Sequence, residues 1–170
     1  GSTVVVGGPH PTVRPDDLLS DGTIDVAVRG EGLDTLVELV EAVAAGRGFE
    51  GIRGVSFRGP EGVVHAPARP PAPDVDAFPL PARHLVPMHR YRMSPDLSVR
   101  TPFDIVFTSY GCPFDCSFCA AQVVMGGSFR PRAIAAVLDE IDLVIRDYRP
   151  RWILAGDDNF VTSRERALEF

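Results

Sequence analysis

Seven of the 16 prolines fall between residues 66 and 87. Proline fixes φ and removes a backbone donor, so this stretch can be neither a helix nor a central strand. It reads as an extended connector that packs over a surface. The chain therefore divides into a first region, residues 1–65, a connector, residues 66–102, and a second region, residues 103–170.

The first region reads as strand, loop, strand, helix and hairpin. Val4–Val6 is a β-branched run closed by Gly7-Gly8-Pro9, which predicts a strand entering a turn. Residues 14–20 suit a short helix. Ile24–Val28 predicts a second strand, closed by Gly30-Glu31-Gly32. From Leu33, apolar residues at Leu36, Val37, Val40, Val43 and Ala44 follow helical spacing until Gly46. Residues 52–65 predict a hairpin turning between Gly59 and Gly62. This order suits half of a doubly wound α/β domain.

The second region repeats strand, loop and helix. Asp104–Thr108 predicts a strand. Pro131 suits the first turn of a helix with an apolar face of Ile134, Val137, Leu138, Ile141, Val144, Ile145 and Tyr148, and Pro150 lies past its end. Trp152–Ala155 predicts another strand, followed by the loop Gly156-Asp157-Asp158-Asn159, and Ser163 caps a last helix. That rhythm is the one of a β/α barrel, where sites gather at the carboxyl ends of strands.

One such end opens into Cys-Pro-Phe-Asp-Cys-Ser-Phe-Cys, residues 112–119, which holds all three cysteines of the chain. A structural zinc site takes four protein ligands, and an iron–sulfur cluster usually takes four cysteines. Zinc would need His10, His65, His84 or His89, and none lies within 20 residues of the loop. A disulfide framework takes an even count in a secreted context. A cubane on three cysteines leaves one iron open for a substrate or cofactor.

Residues 108–119 resemble the radical S-adenosylmethionine (SAM) superfamily, whose signature is C-x3-C-x-aromatic-C, with Phe118 as the aromatic. The likeness runs from Phe103 to the end and includes Phe-Arg-Pro-Arg (129–132), Glu140 and Asp-Asp-Asn-Phe (157–160). It implies a 4Fe-4S cluster on Cys112, Cys116 and Cys119. It also implies SAM on the open iron and one-electron cleavage to a 5′-deoxyadenosyl radical. Phe118 would pack near the adenosine. Gly156, Asp157 and Asp158 would meet the SAM ammonium group, for which a carboxylate is a natural partner. The same Asp-Asp-Asn run also reads as a polar turn with capping duty. Arg130 and Arg132 read either as binders of a carboxylate or phosphate, or as solvated arginines.

In the first region, residues 4–12 and 25–32 resemble the end of the cobalamin-binding domain that precedes many radical SAM barrels. That likeness implies a cobalamin pocket at Gly7, Gly8, His10, Gly30, Glu31 and Gly32, since glycines let a bulky cofactor approach the backbone. Leu33 stands where that family usually carries an acidic residue, and no D-x-H-x-x-G motif is present. His10 then lines the nucleotide-tail side of the pocket, or the turn itself, rather than ligating cobalt.

The fold expected is α/β: the C-terminal part of a flavodoxin/Rossmann-like cobalamin-binding domain, then the first β/α units of a radical SAM partial TIM barrel. The resemblance implies cobalamin-dependent methyl transfer to an unactivated carbon. Cyclisation, ring contraction, methylthio transfer and a non-enzymatic cobalamin or iron–sulfur sensor are the alternatives. Expected partners are a small-molecule or natural-product substrate and an electron donor such as ferredoxin or flavodoxin. Net charge is −6 and all 17 basic residues are scattered arginines, which speaks against nucleic acid or an anionic membrane surface. No apolar run approaches the roughly 18 residues of a membrane span, and a cytoplasmic location is expected. The chain starts Gly-Ser-Thr-Val-Val-Val inside an apolar run and stops at Phe170 inside a helical pattern; the expectation is an excerpt of a longer protein, poorly stable on its own.

Overall fold

In a computed structural model, which describes residues 1–91 and 101–170, the chain opens with β1 (Val5–Gly7), α1 (Pro9–Val13), α2 (Pro15–Leu19), β2 (Val26–Val28) and α3 (Leu33–Ala44). The hairpin β3 (Val55–Gly59) and β4 (Gly62–His65) follows. Then come β5 (Phe103–Val106), β6 (Ser109–Tyr110), α4 (Ala121–Met125), β7 (Arg130–Pro131), α5 (Ile134–Tyr148), β8 (Trp152–Ala155) and α6 (Arg164–Glu169). The far end of the expected connector, residues 92–100, lies outside the described residues. The elements group into two units. One comprises Gly1–Ala72 with Phe114–Gly127, and the other Pro73–Pro113 with Ser128–Phe170.

In the first unit, β1 and β2 pair in parallel with Val5 opposite Val26. The hairpin joins antiparallel, giving the order β1-β2-β3-β4. Val26, Val28, Leu39, Ala42, Val55 and Phe57 form the heart of its core, and Phe49 meets the Phe57 ring edge-on. Helix α1 occupies a stretch expected to be a turn. Pro9 stands in its first turn, where the missing N–H costs no hydrogen bond.

Helix α3 forms where the periodicity predicts, but it buries another face. Thr35, Leu39 and Ala42 pack inward, whereas Leu36, Val37, Val40 and Val43 are exposed. The sequence carries apolar residues on both sides, so spacing alone fixes the period and not the face.

In the second unit, β5 and β8 pair in parallel, Phe103 opposite Trp152, with α5 as the crossover that parallel strands require. Pro131 does not open that helix. It pairs as part of β7 with Ser109, an edge position where a proline is tolerated. Helix α5 starts at Ile134 and buries Val137, Glu140 and Val144, leaving Leu138 and Ile145 exposed. Arg149, left-handed at φ 48°, ends it before Pro150. Ser163 caps α6, its Oγ accepting from the Arg166 amide at 3.3 Å.

The proline-rich stretch is divided between the units. Residues up to Ala72 go with the first and those from Pro73 with the second, where Val75 and Arg83 are buried. This part of the connector is therefore packed structure.

Candidate functional site

Strand β5 leads into the cysteine loop, and both of its edges are occupied. Facing β8, the carbonyls of Pro102 and Val106 accept from the amides of Arg151 (2.8 Å) and Gly156 (3.0 Å). On the other edge, arginines take the place of a strand. Arg83 Nη2 donates to Ile105 O at 3.2 Å and Arg132 Nη1 to Phe107 O at 2.9 Å. Charged groups on an open row of carbonyls suppress stray strand pairing.

Glu140 holds both arginines. It is 2% exposed, and its Oε1 accepts from Arg83 Nη2 at 2.8 Å and its Oε2 from Arg132 Nη1 at 2.5 Å. Arg83 Nε also donates to Asp104 Oδ2 at 2.8 Å. Asp76 meets Arg132 Nε at 3.4 Å, and its other oxygen accepts from the Ala133 amide at 2.7 Å, one of the donors a helix start leaves unpaired. Arg132 follows neither of its two sequence readings: it is buried rather than solvated, and the carboxylates it binds belong to the protein. A buried charge persists only when paired in this way.

Asp157 sits at the start of the loop after β8. Its Oδ1 accepts from the amides of Thr108 (2.7 Å) and Ser109 (3.2 Å), and its Oδ2 from the Thr108 (2.5 Å) and Ser109 (3.0 Å) hydroxyls. Thr108 and Ser109 are themselves buried. Gly156 is required by close approach: a Cβ there would lie 2.8 Å from Ile105 Cγ2 and from the Phe107 ring. That ring stacks on Tyr110, with centroids 5.7 Å apart. Asp158 is exposed and makes no hydrogen bond or ion pair among the described residues.

Of the three cysteines, Cys112 is buried in the second unit, whereas Cys116 and Cys119 are exposed and go with the first. All three are free thiols. The Cys119 amide donates to Cys116 O at 2.9 Å, and the Ala121 amide donates to Cys119 Sγ at 3.4 Å. Phe118 is 92% exposed. Among the described residues, no group of three His, Cys, Asp or Glu side chains is placed to hold a metal ion. The donor chemistry still fits a cluster: three thiols on one loop, one with an amide already on its sulfur, the kind of contact that tunes cluster potential.

In the first unit, a cavity of about 270 Å³ is lined by Thr12, Arg29, Gly30, Glu31 and residues of α4. It lies just below the roughly 300–1,000 Å³ of drug-sized pockets. Gly30, at φ 70°, has no atom within 4 Å of where a Cβ would stand. Glu31 Oε2 accepts from the Ala72 amide at 2.8 Å. Gly7, Gly8, Gly32 and His10 do not line the cavity; His10 lies 3.9 Å from Asp17. Burial draws the Arg29 guanidinium below its ordinary pKa, while its Nη2 donates to the carbonyls of Val55 and Ala66.

Sequence reasoning assigned no role to Thr12, Arg83 or Asp76, and missed α4. One signal was available: Glu140 interrupts an apolar helix face, and a carboxylate there needs a cation.

These features go with one class. The chain is related to curated methyltransferases and to a radical SAM methyltransferase of solved structure, and it shares the fold of a cobalamin-dependent radical SAM enzyme. It is 36% identical to an uncharacterized methyltransferase of Pyrococcus horikoshii over 98% of the chain and 35% of the relative. It is 31% identical to the anaerobic magnesium-protoporphyrin IX monomethyl ester cyclase of Rubrivivax gelatinosus over 98% of the chain and 30% of the relative. The chain thus spans about a third of the length of the curated relatives it matches. The radical SAM methyltransferase TsrM of Kitasatospora setae, solved with tryptophan and a SAM analogue, superposes with a TM-score of 0.70 at 25% identity, covering 98% of this chain and 32% of that one. The cobalamin-dependent radical SAM enzyme OxsB shares the fold, with a TM-score of 0.67 at 21% identity over 95% of this chain and 22% of its own. No protein-family profile matches. Among the described residues no helix is long and apolar enough to cross a membrane.

Proposed function

We propose that the protein is a cobalamin-dependent radical SAM methyltransferase acting on an unactivated carbon of a small molecule or natural product. The observation that carries this reading is the C-x3-C-x-F-C loop at the carboxyl end of β5, its root hydrogen-bonded to the loop after the neighbouring parallel strand. Ligand sites of β/α folds collect at such ends. Identity to a methyltransferase over nearly the whole chain supports it.

In this reading Cys112, Cys116 and Cys119 hold the cluster, and the exposed Phe118 covers adenosine. Gly156 lets the loop after β8 close onto β5, and one of the carboxylates at 157–158 faces the SAM ammonium group. Gly30 and Glu31, on the cavity beside α4, meet one part of cobalamin. When bound, the cluster supplies an electron and an open iron coordination site, and cobalamin carries the methyl group. A soluble ferredoxin- or flavodoxin-like donor in the cytoplasm is the proposed electron source.

A second reading, cyclisation of a tetrapyrrole ester, is supported by 31% identity to a cyclase. Anaerobic reconstitution of the intact protein tests the core: about four irons per chain are expected on such a cluster, with 5′-deoxyadenosine released from SAM on reduction. Zinc without sulfide, or no SAM cleavage, overturns it. SAM carrying a labelled methyl group separates the two readings, because only methyl transfer moves the label into product.

A further inference from the structure

We propose that Asp157 is a positioning residue that locks the root of the cysteine loop to the loop after β8, leaving Asp158 to meet the SAM ammonium group. The proposal rests on the radical SAM reading above and divides two carboxylates that the sequence leaves equivalent. Both Asp157 oxygens are engaged, Oδ1 by two amides and Oδ2 by two hydroxyls, from two buried residues just past β5. Four donors around one carboxylate leave it little capacity for another cation. Asp158 is the next residue, exposed, with its carboxylate uncommitted among the described residues.

The clasp acts from the β8 side while the arginines act from the other. The Arg132 amide donates to Thr108 O at 2.9 Å, and Arg132 Nη1 to the preceding carbonyl. Thr108 and Ser109 are therefore fixed on both sides, just before Gly111 and Cys112. Moving the loop after β8 would move the strand end from which Cys112 departs.

The two roles differ in what an amide replaces. An asparagine at 157 keeps one oxygen for the two amides, and its NH2 group can donate to the two hydroxyl oxygens, since hydroxyls accept as well as donate. An ammonium partner has no such substitute, because the amide carries no charge. SAM affinity is measured by equilibrium dialysis on the intact, iron-loaded protein, with the EPR signal of the reduced cluster recorded before and after SAM. We expect Asp157→Ala to weaken SAM binding about tenfold, the size of a lost charge-assisted contact, and to alter the EPR shift. Asp157→Asn should restore both to within about threefold of wild type, and Asp158→Asn should lose about tenfold. Thr108→Val breaks the clasp from the opposite side with Asp157 intact and should reproduce Asp157→Ala, which covers the case where the alanine variant does not fold. The proposal is overturned if Asp157→Asn is as weak as Asp157→Ala while Asp158→Asn binds normally, or if Thr108→Val binds SAM as wild type does. Wild-type protein that holds iron but binds no SAM overturns the radical SAM reading itself, and this proposal with it.

Discussion

The Thr12 hydroxyl accepts from the Gly30 amide at 2.9 Å and donates to the Gly8 carbonyl at 2.7 Å. One side chain thereby joins the turn after β1 to the turn after β2. Both turns use positive φ, 113° at Gly8 and 70° at Gly30, so neither is held by a rigid side chain of its own. Replacing Thr12 by Val keeps the shape and removes both hydrogen bonds. The expected cost is about 1–2 kcal/mol of stability, read by urea unfolding, together with weaker cobalamin uptake by the intact protein. An unchanged midpoint would show that the turns hold without the staple.

Glu140 is the keystone of the second unit, since each of its oxygens serves a different arginine. Glu140→Gln leaves Arg83 and Arg132 buried with less compensating charge. Breaking a buried pair costs about 3–5 kcal/mol, and a loss near the lower figure is expected in chemical unfolding. Stability within experimental error of wild type would mean that Asp104 and Asp76 suffice.

Gly156→Ala tests close approach rather than backbone freedom. Its Cβ would meet Ile105 and Phe107 at 2.8 Å, and overpacking of this kind costs about 1–3 kcal/mol. A lowered melting temperature is expected, and a Phe107→Leu partner should recover part of it. An unaltered melt would show that the Phe107 ring moves aside freely.

Cys116→Ala should abolish cluster retention in the reconstituted protein, seen as loss of iron and of the visible absorbance. Retention of about four irons by this variant would contradict a cubane held by three thiolates.

Gly30→Phe places a ring into the cavity beside Glu31 and also forces a side chain onto φ 70°, a region that favours glycine. The intact variant should take up less cobalamin while keeping its iron. Equal loss of iron would point to general unfolding, and normal cobalamin uptake would move the cofactor away from this cavity.

Most elements were legible in the sequence. The β-branched runs, the glycine closures, the period of α3 and α5, the Ser163 cap and a hairpin within 52–65 all follow from local chemistry. So does the cysteine loop, whose meaning lies in spacing and side-chain type and needs no fold to be read. What failed locally failed for identifiable reasons. Proline is allowed both in a helix's first turn and at a strand edge, so Pro9 was missed as a helix start and Pro131 was mistaken for one.

The rest depended on partners distant in sequence. Helix α3 carries apolar residues on two sides, and only the sheet beneath it selects Leu39 and Ala42 over Val37 and Val40. Asp157 and Asp158 are chemically identical in the sequence, and what distinguishes them is two buried donors 48 and 49 residues away. Arg83 looked like part of a linker until Asp104 and Glu140 surrounded it. Residue type and spacing determine which chemistry a chain can hold, because they fix donors, charges and periodicity. Only tertiary structure decides which of two equivalent groups is consumed in holding the fold and which is left for a ligand, because the cost of burying a charge is met by neighbours that the local sequence does not contain.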